Sequence, residues 1–160
     1  STEAIIGFHG GETHALDCSS IRLEQSFGNI ILAARNKGEN LNNAKQILVL
    51  VLGRTADRGD LIDERQLRVL QKAELPEWKK SNNKKYDEML DYPSTVVFEP
   101  LNADIFLKRK GSCKVFPLDH DGRQKANTPT IDVGKSEEGI RFSVDGNRDK
   151  TMYYLIDFSE

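Results

Sequence analysis

Three histidines and a scatter of carboxylates are the side chains whose chemistry could go beyond packing. His9 and His14 flank the sequence GGET, five residues apart. Side chains on one strand share a face only at even spacing, so these two can meet only across a turn. A meeting would supply two nitrogen ligands to a metal, but with no further ligand in view an exposed pair of loop histidines is expected. His120 lies more than a hundred residues further along the sequence. Glycoside cleavage needs two carboxyl groups at a fixed separation with tuned acidity, and nothing along the chain marks such a pair. The acids are therefore read as solvated turn and surface groups. DHDGRQ (119–124) and DGNRDK (145–150) have the composition of calcium loops without their spacing. Counting from Asp145, Lys150 stands where the loop needs glycine and Ile156 where it needs glutamate. Both are expected to be hairpin turns, with Asp121-Gly122 as the turn dipeptide of the first. No phosphate-binding loop, dinucleotide fingerprint or nucleophile elbow occurs. The chain is read as noncatalytic, with no cofactor and no metal.

A different chemistry is suggested by ELPEWKKSNNKKYDEMLDYPST, residues 74–95. It holds the only tryptophan, Trp78, with Tyr86, Tyr92 and four lysines, yet has no clean strand or helix period. It reads as a long loop with one helical turn near 86–90, ended by Pro93. Large flat rings in the least regular segment either bind something or pin the loop to the body of the protein.

The elements around that loop read as strands. Runs rich in Val, Ile and Phe occur at 4–8, 30–34, 46–53, 94–99, 103–107, 113–118, 129–133, 140–144 and 152–158. Glycine, asparagine and aspartate separate them in GGET, NKGENL, DRGD, KRKGS, DHDGRQ, GKSEEG and DGNRDK, the residues that tight turns require. Short strands at this spacing predict an all-β antiparallel sandwich, immunoglobulin-like or jelly-roll-like, as one domain over 1–160. The unbroken apolar run 47–52 predicts a central strand covered on both faces, whereas 140–144 and 152–158 alternate and should be half-exposed. Residues 61–75 fit a helix only partly, because Val69 breaks the apolar face, and a strand over 66–72 is preferred.

Composition narrows the class of partner. The 160 residues carry 23 basic and 25 acidic side chains, a net charge of −2, intermixed along the chain. That balance gives no global field for nucleic acid or an anionic membrane. No apolar stretch reaches the roughly 18 residues of a membrane span. Cys18 and Cys113 lack any CxxC neighbour, so free buried thiols are expected over a disulfide, a zinc site or a redox pair.

Over most of the chain a resemblance emerges. FGNIILAARNKGENLNNAKQILVLVLGRTADRG (27–59), VVFEPLNADIFLKRKGSCKVFPLDHDGRQ (96–124) and TMYYLIDF (151–158) are similar to the C-terminal β-sandwich domains that follow the catalytic barrel in glycoside hydrolases acting on red-algal galactans, the agarases and porphyranases. These motifs are structural: Gly53-Arg54 and Asp121-Gly122 fix strands and turns. The resemblance implies a noncatalytic carbohydrate-binding module, secreted or cell-surface as part of a larger enzyme, monomeric, with polysaccharide and an appended catalytic domain as partners. The sequence departs from that pattern at the aromatic loop, an insertion where a gained function would sit.

A sugar ring offers an apolar C–H face and a rim of hydroxyls, so a binding site needs a flat aromatic surface with polar groups at its edge. Trp78 with Tyr86 or Tyr92 would form the platform, Asn82 and Asn83 would bond hydroxyls, and Lys79, Lys80, Lys84 and Lys85 would pair with sulfate. Arg54 and Arg58, with the loop His9 to His14, form a second candidate surface, although Arg54 has a carboxylate pair as its other role. The ligand expected is porphyran, which is sulfated, or agarose. The other reading is a structural domain that buttresses a catalytic barrel and carries an apolar patch where the barrel sits.

Overall fold

A strand that is covered on one side alternates buried and open side chains, and this period decides where the chain of the computed structural model is sheet. The structure describes residues 2–57, 62–63, 68–69, 96–124 and 128–158. The chain divides into two compact units, residues 1–53 with 100–160, and residues 54–99.

The first unit is a sandwich of two five-stranded antiparallel sheets. Sheet A has the order β1 (Thr2–Phe8), β4 (Phe27–Ala34), β5 (Gln46–Leu52), β14 (Tyr153–Asp157), β11 (Lys114–Pro117). Sheet B runs β12 (Gly134–Lys135), β13 (Ile140–Asp145), β10 (Asn102–Leu107), β3 (Ser19–Leu23), β2 (Thr13–Ala15). Most connections, such as β1 to β2, β3 to β4 and β10 to β11, pass from one sheet to the other. Between the sheets lies one apolar core, built from Ile5, Ile30, Leu32, Ile47, Val49, Val115, Tyr154 and Ile156 on one side and Ile21, Leu23, Ile105, Leu107, Ile140, Phe142 and Val144 on the other. Burying each such aliphatic or aromatic side chain contributes about 1.5–3 kcal/mol.

Three expectations change. β5 is central, as its apolar run predicts, but only Ile47, Val49 and Val51 are sealed in the core; Leu48, Leu50 and Leu52 are half-buried on the other side. Residues 129–133 form no strand. Pro129 lacks the N–H a ladder needs, and Ile131 makes a single bridge to Val115. DGNRDK is not a hairpin turn: Asp145 Oδ1 accepts from the N–H groups of Asn147 and Arg148, which caps a one-turn helix α1 (Gly146–Asp149), and Lys150 ends it at φ 50°. The turn at Asp121-Gly122 is present, with Gly122 at φ 75°. β13 and β14 alternate in burial as expected.

α1 carries a buried polar cluster against sheet A. The Asp149 carboxylate accepts from Arg148 Nε at 2.7 Å and from the Tyr154 hydroxyl at 3.2 Å. Burial first and the Asp149 charge second push the Tyr154 phenol well above its ordinary range.

The second unit holds two short antiparallel pairs, β6 (Thr55–Asp57) with β9 (Val96–Phe98) and β7 (Ile62–Asp63) with β8 (Arg68–Val69). β8 falls inside the strand expected at 66–72. The helical turn expected near 86–90 lies outside the described residues.

Candidate functional site

The outer face of sheet B is assembled by pairing residues that lie far apart in the chain. In β3, Ser19, Ile21 and Leu23 point into the core, which turns Ser20 and Arg22 outward. In β10 the core takes Ala103, Ile105 and Leu107 and leaves Asp104 and Phe106 outside. In β13 the same period leaves Arg141 and Ser143 outside. Register then sets two rows: Ser20, Phe106 and Arg141 stand opposite one another, and next to them Thr13, Arg22, Asp104 and Ser143. Thr13, Ser20, Arg22, Asp104, Phe106 and Arg141 line a groove of about 300 Å³.

Two guanidiniums and one carboxylate set its electrostatics. The Arg141 guanidinium lies 5.8 Å from the Phe106 ring centroid, within cation–π reach, so ring and cation form a composite platform. Asp104 accepts from the Ser143 hydroxyl at 2.5 Å. Arg22 stands opposite Asp104 yet makes no ion pair with it; its Nε reaches the Gly11 carbonyl at a long 3.4 Å. Neither Arg22 nor Arg141 is in an ion pair among the described residues. One carboxylate lines the groove, so its lining does not provide the paired acids of glycoside cleavage.

The residues singled out in the sequence fare differently. Trp78, Lys79, Lys80, Asn82, Lys84, Lys85, Tyr86, Tyr92 and Arg58 lie outside the described residues. Arg54 is described, and its guanidinium forks onto Glu99, Nε to Oε2 at 2.9 Å and Nη2 to Oε1 at 3.2 Å. These hydrogen bonds push its pKa further up and commit its donors to a carboxylate, the second role the sequence left open for it. Arg22, Asp104, Phe106 and Arg141 were not anticipated. Their only signal is that they are the polar and aromatic positions of IRL, ADIFL and IRFSV, and which of them meet depends on strand pairing.

His9 and His14 do meet across the turn. His9 is buried, 6% exposed, so the expectation of two exposed loop histidines fails for it. Cys18 and Cys113 are both free thiols, half-buried rather than fully buried. Burial pushes both up, helped at Cys18 by the neighbouring Glu3 carboxylate, which keeps them protonated and unreactive. No group of three or more His, Cys, Asp or Glu side chains converges as a metal site among the described residues. Compared with family models, curated proteins and solved structures, the chain matches none.

Proposed function

We propose that this is a noncatalytic carbohydrate-binding module that holds an appended glycoside hydrolase on a red-algal galactan, porphyran or agarose. The observation that carries this reading is the groove on sheet B, where Phe106 and Arg141 offer a flat surface and Arg22, Thr13, Ser20 and Asp104 offer donors and acceptors around it. A sulfate ester would be met by two guanidiniums not engaged with carboxylates, and sugar hydroxyls by Asp104 and the serine and threonine hydroxyls. The aromatic and lysine-rich segment around Trp78 is a second contact region in the same reading.

A calorimetric titration with porphyran and, separately, with neutral agarose oligosaccharides tests it. Heat with porphyran that is weakened by salt and by Arg22→Gln or Arg141→Gln is the expected result. If neither ligand gives heat, the binding reading fails for these ligands. If Trp78→Ala abolishes binding while the arginine variants do not, the site belongs to the segment around Trp78 alone.

A specific observation favours the alternative as well, a structural accessory domain seated on a catalytic barrel. Much of the outer face of sheet A is apolar: Ile6 is 71% and Phe8 84% exposed, beside half-buried Phe27, Ile31, Leu48, Leu50 and Leu52, with Asn29 among them and Gln46, Asp157 and Lys114 toward one end. A solvated sheet face ordinarily carries polar side chains. The two readings use opposite sides of one sandwich and are compatible.

A further inference from the structure

The segment His9-Gly10-Gly11-Glu12-Thr13-His14 joins β1 of sheet A to β2 of sheet B. The Glu12 N–H bonds back to the His9 carbonyl at 3.1 Å, and the two residues between them, Gly10 and Gly11, stand at φ 60° and 79°. Positive φ at both central positions is the I′ turn, which glycine adopts without strain and other residues resist. This turn reverses the chain within four residues and brings His14 back over His9. Ring centroids are 4.9 Å apart with planes at 76°, and His9 Nδ1 lies 3.2 Å from His14 Nε2.

The far side of His9 settles which nitrogen is available. His9 Nε2 lies 2.8 Å from the carbonyl oxygen of Gly28. A carbonyl only accepts, so Nε2 carries the proton and Nδ1 of the neutral ring presents its lone pair toward His14. A bond from one imidazole N–H to a backbone carbonyl fixes the tautomer and orientation of metal-ligating histidines, and here it leaves Nδ1 facing the second imidazole, from whose Nε2–H it accepts. Burial and the carbonyl bond hold this ring in place before any ion arrives.

We infer that His9 Nδ1 and His14 Nε2 form a two-histidine chelate for a late first-row divalent cation, such as Cu²⁺ or Zn²⁺. Two metal–nitrogen bonds of about 2.0–2.1 Å, at angles between square-planar and tetrahedral, put their nitrogens about 2.9–3.4 Å apart, a range that includes the observed separation. His14 is half-buried, so its ring has the freedom to turn its Nε2 lone pair toward a shared ion. The proton that His14 Nε2 donates to His9 Nδ1 moves to His14 Nδ1 when the ring turns its Nε2 lone pair to the ion. Since no third side chain closes on the pair among the described residues, water completes the coordination. The ion would clasp the residue that follows β1 of sheet A to β2 of sheet B. It would also stiffen the turn whose Gly11 carbonyl and Thr13 meet Arg22 at the rim of the groove.

The test is calorimetric titration of chelator-treated protein with Cu²⁺ and Zn²⁺, with electron paramagnetic resonance of the Cu²⁺ form and a thermal melt with and without metal. Expected are one ion per chain, hyperfine splitting from two nitrogens, and a rise in Tm. His14→Gln keeps a side-chain donor for His9 Nδ1, so a merely structural hydrogen bond survives in it, whereas metal affinity falls at least tenfold and the Tm rise disappears. His120→Ala should change nothing. Equal affinity in wild type and His14→Gln, loss of binding in His120→Ala instead, or no binding by the wild type would each overturn the site.

Discussion

On the outer side of sheet B, register lines up Arg22, Asp104 and Ser143, and beside them Ser20, Phe106 and Arg141. On the outer side of sheet A, register lines up Ala4, Ile31, Leu50 and Tyr153, and beside them Thr2, Ala33, Leu48, Leu155 and Phe116. At the end of that second face Phe8 and Phe27 meet edge to face at 5.1 Å. The inner sides of both sheets are equally apolar, because one core must be filled from both directions. The outer sides are under no such demand. Under the reading proposed above, their difference concerns partners rather than folding: the polar groove would take a hydrated, charged ligand, and the more apolar face another protein surface.

The largest effect should come from the wall that the two faces share. Phe142 is 2% exposed on the inner side of β13, directly behind the strand that carries Arg141. Phe142→Ala should cost about 3–5 kcal/mol, read from urea unfolding, and should weaken ligand binding and docking together. A loss below about 1 kcal/mol would mean that the faces do not rest on a common core.

The next effect separates the faces. Arg22→Gln and Arg141→Gln each remove a charge-assisted donor, worth about 1.5 kcal/mol or roughly tenfold in affinity for a sulfated galactan. Together they should approach a hundredfold, with stability unchanged. Calorimetry in low and high salt checks this, since the lost component is the screened one. A neutral galactan that loses as much as porphyran would show that the arginines read hydroxyls rather than sulfate.

How much of this was readable in the chain depends on range of interaction. β5 is written locally, in a run of Leu, Val and Ile that has no other stable use than a central strand. β2 and β3 are not: THA and SSIRL are short and half polar, and they become strands because β3 finds the edge of β10. The groove inherits that difficulty, since Arg22, Asp104 and Arg141 are ordinary surface charges until pairing sets them side by side. DGN has the residues of a turn and becomes a helix start because the Asp145 carboxylate finds two N–H groups, while Asp149 finds Tyr154. The meeting of His9 and His14 could be posed from their spacing around GGET, but the burial of His9 could not, because the carbonyl that holds it belongs to Gly28 on β4.

A smaller effect concerns the buried hydrogen bond between Tyr154 and Asp149 beside α1. Tyr154→Phe removes the hydroxyl from Asp149 and should cost about 1 kcal/mol at neutral pH. Its pH dependence has a definite sign. The folded protein keeps the phenol protonated while the unfolded chain releases that proton above about pH 10. The unfolded state then binds fewer protons than the native state, so this contribution is intact below about pH 10 and is lost as pH rises beyond it. Urea midpoints measured from pH 8 to pH 11 should fall more steeply for the wild type than for Tyr154→Phe, and parallel curves would remove the phenol from the account.

The smallest effect on stability is the one that decides most about sheet A. Ile6 and Phe8 stand on β1, at one end of the sheet order, with most of their surface in solvent. Replacing both by serine removes little buried area, so unfolding free energy should move by no more than about 0.5 kcal/mol. If the face exists to meet another protein surface, the same double substitution should sharply reduce binding of an apolar fluorescent dye and leave galactan affinity as it was. A loss of more than about 2 kcal/mol would instead assign Ile6 and Phe8 to the fold, since apolar side chains that hold a structure together cost that much when removed. The contrast between the two faces would then be a contrast between packing and binding, and sheet A would no longer count as a surface awaiting a partner.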